Sequence, residues 1–369
     1  MNKIKEFVLN FSSPSTRSVY RNHIQQFLKF LGEDENTYFS SGRNYEDDIK
    51  RYWQYIQHRP PKSIKSILSC IKMFLEEFDV VIRPKVWRNI SRRTPGSSAV
   101  SEDIIPSHKE LKEILQYAPL KDRALFLMMV SSGMREGEAV KIRLQDIDFN
   151  SAPVKIKVPS FTKDGKFTKT GDKRTTFMTN EARDAVQAWL KQRKRYRESA
   201  DRKGLGLMRW QRMKFGIEHN ANDINRVFPF SADTARVMWN KLIEKAGYIE
   251  RDEITNVHKM RLHTLRKFFE HQLKSKIRPG AVEQIVGHEG YLSTYNRFTD
   301  KELTDEYLKG MDVLLIFETS KLDIEHRFQE RTQMMQDQID KLNREIETIL
   351  DKASDMVEER LKREDFKKM

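Results

Sequence analysis

The sequence predicts a mainly α-helical protein with one small antiparallel sheet, and three features carry that prediction. Apolar residues recur at helical spacing through most of the 369 positions, and Val154, Ile156 and Val158 alternate with lysines in one short stretch. A heptad seam then follows near the C-terminus: Met335, Ile339, Leu342, Ile346, Ile349, Ala353 and Met356, spaced alternately four and three, with charged residues around it. That period is the signature of a coiled-coil helix.

Taken in order, Ser13-Pro14-Ser15-Thr16 opens a helix whose apolar face is Tyr20, Ile24, Phe27, Leu28 and Leu31, up to Gly32. A second helix is predicted around Ile49, Tyr52, Trp53 and Ile56, stopped by Pro60-Pro61. Ser63 can cap a third, with Ile64, Ile67, Leu68, Ile71, Phe74, Leu75 and Phe78 as the widest apolar face of the region. Three or four such helices form a small bundle. The stretch Arg92 to Ser98 holds turn formers and charge without periodic apolar residues, and reads as a linker.

Ser107-His108-Lys109-Glu110 is a capping-box pattern. Leu125, Phe126, Met128, Met129 and Val130 then make a nearly all-apolar helix that Gly133 ends, so Arg135 and Glu138 begin where a buried helix breaks. The strand at Val154 to Val158 is followed by turn chemistry at Asp164-Gly165 and Gly171-Asp172, and the chain returns through Arg174 to Phe177 as a lysine-rich hairpin. A helix with Val186, Trp189 and Leu190 leads into residues 191–214, where ten Lys/Arg stand against two Asp/Glu with Tyr196, Met208 and Trp210 interleaved. Phe228-Pro229-Phe230-Ser231 precedes a helix bearing Val237, Trp239, Leu242 and Ile243. In the next, the spacing of three puts His263 and Arg266 on one face, where an imidazole and a guanidinium can grip the same anion. Gly287-His288 marks a tight turn, and Tyr291, Tyr295 and Tyr307 follow.

The length suggests roughly two to three domains. A hydrophobic content of 38% supports real cores but is low for one compact body. There is no run of about 18 apolar residues and the start is polar, so a soluble, cytoplasmic protein without a membrane partner is expected. The single cysteine, Cys70, excludes an internal disulfide and a thiolate zinc cluster, and on an apolar helix face it reads as a small buried hydrophobe. Net charge is +14, yet residues 320–369 hold 11 Lys/Arg against 13 Asp/Glu, which leaves +16 on the body. A polyanion is the economical partner for that body, because neutralised phosphates release counterions. The basic run offers Lys191, Arg193, Lys194, Arg195 and Arg197 as backbone contacts.

Arginine, a hairpin lysine, His-x-x-Arg, Gly-His and a tyrosine, in that order from Pro106 to Phe317, resemble the tyrosine recombinase (phage-type integrase) family. An archaeal or mobile-element integrase is the type suggested. The resemblance implies a helical core-binding, clamp-like domain at residues 1–92, a linker at 93–105, an α+β catalytic domain at 106–318, and a coiled-coil tail at 319–369. It implies DNA cleavage and rejoining through a 3′-phosphotyrosyl link without metal, cofactor or ATP, on double-stranded DNA, in a tetrameric synapse. In a prokaryote the protein would be nucleoid-associated. Arg135 and Arg266 would bind the phosphate, Glu138 would orient Arg135, His263 would hydrogen-bond the phosphate or take the tyrosine proton, and His288 would be a second imidazole donor to the phosphate.

The lysine of the family's hairpin corresponds to Lys169, in Thr168-Lys169-Thr170-Gly171, while Lys163 in Thr162-Lys163-Asp164-Gly165 fits nearly as well. For the nucleophile Tyr295 is favoured. Tyr291 shares a turn with His288, and Tyr307 lies on an apolar stripe with Leu303, Leu308 and Met311, although the family's spacing from the histidine is usually slightly longer than that to Tyr295. Rival readings are a relaxing topoisomerase of the same active-site type, a non-catalytic DNA-binding architectural protein, and a coiled-coil scaffold docked on nucleic acid.

Overall fold

The computed structural model describes residues 2–39, 42–94, 96, 101–162, 165–168, 171–215, 225–287 and 298–317, and positions 335, 336, 338, 339, 342 and 346 of the tail. The chain divides into two compact units, Met1–Ile104 with Ile249–Arg261, and Ile105–Tyr248 with Leu262–Met369.

The first unit is a helical bundle of α1 (Lys3–Leu9), α2 (Pro14–Leu31), α3 (Tyr45–Tyr55), α4 (Pro61–Glu77) and α5 (Pro84–Arg93). Ser13 caps α2 by accepting from the Thr16 N–H, and Gly32 ends it in the left-handed region at φ 71°. α4 starts at Pro61, two residues before the Ser63 cap that the sequence suggested. Proline at the first helical position is pre-set in φ and gives up only an N–H that would have no partner. Ile64, Ile67, Leu68, Cys70, Ile71, Phe74 and Leu75 of α4 are all buried and meet Ile24, Phe27 and Leu28 of α2 in one core. Burial pushes the Cys70 thiol up to about 12, the state of an inert small hydrophobe. Residues 102–104 are held by pairing: Ile104 N–H donates to Lys259 O at 3.1 Å, Glu102 N–H to Asp252 Oδ2 at 3.2 Å, and Arg261 forms an ion pair with Asp103.

The second unit holds α6 (His108–Gln116), α7 (Leu120–Ser132), α8 (Glu136–Ala139), β1 (Ile147–Asp148), β2 (Val154–Val158), β3 (Phe161–Thr162), β4 (Gly165–Lys166) and β5 (Arg174–Met178). After them come α9 (Asn180–Phe215), α10 (Ala232–Lys245), α11 (Thr264–Lys274), α12 (Pro279–Val286) and α13 (Asp300–Gly310). The sheet is antiparallel in the order β1-β2-β5, with Ile156 opposite both Ile147 and Thr176. β2 alternates as expected, Val154, Ile156 and Val158 facing the core. The tip between β2 and β5 is long because it carries its own two-stranded β3-β4 ribbon.

α7 is the axis of this unit. Ala124 to Val130 are each at most 3% exposed, so it is apolar all round, and it packs against α9, α11 and β5. α6 opens with the Ser107–Glu110 capping box, and α13 with a second one from Thr299 and Glu302. The body closes where the N–H groups of Ile316 and Phe317 each donate to the Glu181 carboxylate at 3.0 Å. In the tail, Met335, Ile339, Leu342 and Ile346 are helical and about half exposed, between 48% and 58%; Ile349, Ala353 and Met356 lie outside the described residues. No described helix is long and apolar enough to cross a membrane.

Candidate active site

The site is built on three chain breaks. α7 ends at Gly133, whose φ is 62°, and the Phe269 ring of α11 occupies the place of a Cβ there, Cε1 at 2.8 Å and Cγ at 2.9 Å. Only glycine combines that backbone with that approach. Two residues on, Arg135 is the N-cap of α8. Its N–H donates to Glu138 Oε2 at 3.1 Å and its Nη1 to Glu138 Oε1 at 3.2 Å, so the carboxylate caps the helix and holds the guanidinium together. The Arg135 side chain keeps 24% of its surface in solvent and Glu138 only 3%.

The second break is the end of α12. A helix leaves its last carbonyls without partners, and here two guanidiniums take them. Arg266 Nη2 donates to Val286 O at 2.9 Å, and Arg174 Nε to Ile285 O at 3.0 Å. Arg266 also reaches back with Nη1 to Gly133 O at 2.8 Å, so one side chain, 2% exposed, ties the ends of α7 and α12. Gly287 follows at φ 74°.

The third break is the return of the hairpin at β5. Arg174 there donates from Nη1 and Nη2 to the two oxygens of Glu138, at 3.3 and 2.5 Å. Burial alone would push the Glu138 carboxyl up; the Arg174 hydrogen bonds and charge, followed by Arg135, outweigh it and hold the carboxyl below its ordinary range. Arg266 is lowered to about 10 by burial first and by the positive charge of Arg135 second, while Glu270, 3.2 Å from its Nε, acts the other way. It stays cationic at neutral pH. Three guanidiniums against Glu138 and Glu270, in a mostly desolvated corner with Arg135 open to solvent, suit an incoming anion whose charge grows during reaction.

The arrangement brings together Arg135, Glu138 and Arg266. His263 stands apart in burial: it is the exposed N-cap residue of α11, and Arg266, three residues on, is buried. Lys169, His288 and Tyr295 lie outside the described residues, as do the alternatives Lys163 and Tyr291. Their flanks are described. Thr168 Oγ1 donates to Asp172 O at 3.1 Å and accepts from the Gly171 N–H at 3.0 Å. The chain leaves α12 at Gly287 and is held to it again at Phe298, whose N–H and C=O both bond the Gln284 side chain, at 2.9 and 2.8 Å. Tyr307 is fully buried, with its hydroxyl donating to Ser131 O at 2.8 Å, and burial raises the phenol well above its ordinary pKa.

Lys191, Arg193, Lys194, Arg195 and Arg197 all lie on α9. Lys191, Lys194 and Arg195 are exposed, whereas Arg193 and Arg197 are half-buried and Arg193 donates to Arg226 O. Burial lowers the Arg193 guanidinium, with the charge of Arg197 adding to it.

Sequence reading passed over two members of the cluster, Arg174 and Glu270. Each had a signal. Arg174 shares a strand face with Thr176, whose Oγ1 donates to Ser132 O at 2.6 Å, and the period of two places the arginine beside the Gly133 break. Glu270 is four residues from Arg266 on one helix, the spacing of an intrahelical ion pair.

Residues 107–304 match the model of the phage integrase family. The tyrosine recombinase XerA of Saccharolobus solfataricus is 22% identical over 322 residues, covering 84% of this chain and 91% of the relative. The tyrosine recombinase XerC of Oceanobacillus iheyensis is 23% identical over 312 residues, covering 81% and 90%. Among solved structures, the Tn1549 transposon integrase in complex with transposon right end DNA superposes with a TM-score of 0.53 at 17% identity, over 83% of this chain and 98% of that one. A lambda integrase dimer bound to a COC′ core site gives 0.52 at 14% identity, over 80% and 96%.

Proposed function

Because the chain belongs to the phage integrase family, whose tyrosine recombinases break and rejoin DNA, we propose that it is a site-specific recombinase acting through a 3′-phosphotyrosyl intermediate. The observation that carries the reading is the convergence of Arg135 and Arg266, with Glu138, at the breaks ending α7 and α12. Preorganised cations at that corner cost no reorganisation as the phosphorane gains charge, which is where electrostatic catalysis is largest.

In this reading the Tyr295 oxygen attacks the scissile phosphorus, the bond to the 5′ oxygen breaks, and Lys169 gives that oxygen its proton. Arg135 and Arg266 bind the non-bridging oxygens, Glu138 orients Arg135, His263 donates to the phosphate or receives the tyrosine proton, and His288 donates to the phosphate. The phosphotyrosyl ester retains the energy of the broken bond, so the 5′ hydroxyl of another strand can attack it without ATP. Residues 106–318 form the catalytic domain, residues 1–92 the clamp, residues 93–105 the linker and residues 319–369 an assembly helix. The exposed Lys191, Lys194 and Arg195 on α9 are suited to backbone phosphates. The Tn1549 integrase on transposon-end DNA and the lambda integrase dimer on its core site support DNA and a second copy of the chain as partners.

A nicked duplex that loses its short 5′ strand after cleavage traps the covalent complex. Tyr295→Phe removes only the attacking oxygen, so it is expected to abolish trapping with duplex affinity retained. If Tyr295→Phe still traps DNA while Tyr291→Phe or Tyr307→Phe does not, the nucleophile is another tyrosine. Trapping by all three variants refutes the tyrosine mechanism.

A further inference from the structure

Arg174 has no assigned part in the chemistry, yet it touches two supports of the residues that have one. Its Nη groups hold both oxygens of Glu138, its Nε holds Ile285 O, and its side chain is 6% exposed. Its Cδ lies 2.8 Å from the place a Cβ would take on Gly287, so the stem fills the space that only glycine leaves beneath that turn. With its Nη groups turned to the carboxylate and Nε to the carbonyl, it faces structural partners rather than a substrate.

We infer that Arg174 is a positioning residue for strand cleavage: through Glu138 it fixes Arg135, and through Ile285 O it fixes the end of α12, one residue before Arg266 does the same at Val286. The inference rests on the recombinase reading above. Arg174 is the firmer of the two holders of Glu138, since its nearest contact is 2.5 Å where that of the partly exposed Arg135 side chain is 3.2 Å. A planar fork can grip a carboxylate with two nitrogens and a carbonyl with the third, which an ammonium cannot do. Among the described residues three cations face Glu138: Arg135 beside it in chain, Arg174 from β5 and Arg266 from α11. Without the Arg174 fork the carboxyl stays buried but loses the side-chain hydrogen bonds that lower it most, so its pKa rises and Arg135 loses its anchor as pH falls.

The test is single-turnover covalent trapping on the nicked duplex at saturating enzyme, across pH, for the full chain carrying Arg174→Lys or Arg174→Ala, each alone and with Glu138→Gln. Arg174→Lys is expected to bind duplex within about threefold of the parent, because phosphate contacts supply affinity, and to cleave roughly 10²-fold more slowly, the scale of an ångström of misplacement. Its acid limb is expected at higher pH than the parent's, and the added Arg174→Lys change should cost little in the Glu138→Gln background. Parental rates for Arg174→Lys overturn the inference. So does slowing with an unmoved acid limb that multiplies fully with Glu138→Gln, for then Arg174 acts elsewhere. If Arg174→Ala melts below the assay temperature, the lysine variant decides alone. Failure of the parent itself to trap DNA is a failure of the recombinase reading, and is seen before any variant is compared.

Discussion

Gly133→Ala places one methyl group where the end of α7 meets the middle of α11. The new Cβ would stand 2.8 Å from Phe269 Cε1 and 2.9 Å from its Cγ, inside any real carbon contact, on a backbone at φ 62°. The left-handed conformation costs an L-residue about 1–2 kcal/mol. Forcing the buried ring aside costs about 1–3 kcal/mol more, since Phe269 is fully buried. The stiffer unfolded chain offsets about 0.4–1 kcal/mol of this, so the net loss is about 1–5 kcal/mol. Gly137, in α8, is the matched control. Nothing lies within 4 Å of its Cβ position, and Gly137→Ala is expected to be neutral or to stabilise by up to about 1 kcal/mol.

The chain has two units, so one global transition is not assumed. Amide hydrogen exchange in α7 and α11 reads the stability of the right one. The double variant Gly133→Ala, Phe269→Leu should recover the packing share of the loss and keep the backbone share, a coupling of about 1–2 kcal/mol. Gly133 O also accepts from Arg266 Nη1 at 2.8 Å, so trapping of nicked DNA should fall further than stability does. Exchange in α7 within about 0.5 kcal/mol of the parent would refute the reasoning, because neither the strain nor the ring contact would then be real.

If Lys169 protonates the leaving oxygen, Lys169→Ala should cleave an ordinary duplex very slowly and be rescued by a 5′-bridging sulfur, which departs without a proton. Rescue of Lys163→Ala instead reassigns the role, and equal defects on both substrates exclude it for Lys169. Glu306 is drawn down to about 2 by its bond to Lys309 first and the Arg278 N–H second. Its stabilisation is therefore full above the ordinary glutamate pKa and lost as pH falls through about 2; the deficit of Glu306→Gln, measured by denaturation, should be present at neutral pH and shrink on acidification, and a deficit constant with pH contradicts it. A chain ending at Ser320 should sediment as a smaller species and still cleave single sites; the same oligomer with and without the tail rules out assembly through the seam.

Much of the fold was legible because local rules and burial agree. The α2 limits at Ser13 and Gly32, the all-apolar α7 stopped by Gly133, and the alternation of β2 each rest on a few neighbouring residues. α1 and α5 escaped notice for the same reason in reverse. They are short, and Phe7, Val8, Val86 and Ile90 make stripes too brief to stand out until the bundle core covers them. The pairing of residues 102–104 with 252–261 spans some 150 positions and consists of isolated hydrogen bonds and the ion pairs of Arg261 with Asp103 and Lys259 with Glu102, for which no periodicity exists to be read.

In the site, the motif arginines could be found from order along the chain, but their division of labour could not. Spacing alone put His263 and Arg266 on one face; the helix starts at Thr264, so His263 becomes an exposed cap and Arg266 turns inward to the carbonyls of Gly133 and Val286. Arg174 lay in plain view at the end of the hairpin. Its meaning depends on where the last turn of α12 leaves two carbonyls and on where Glu138 points, and both are products of tertiary packing. A buried arginine of this kind serves as a helix cap and as a charge at once. Replacing it by lysine therefore separates the two uses: charge is kept, the fork is lost, and the loss is read in the rate of cleavage rather than in the affinity for DNA.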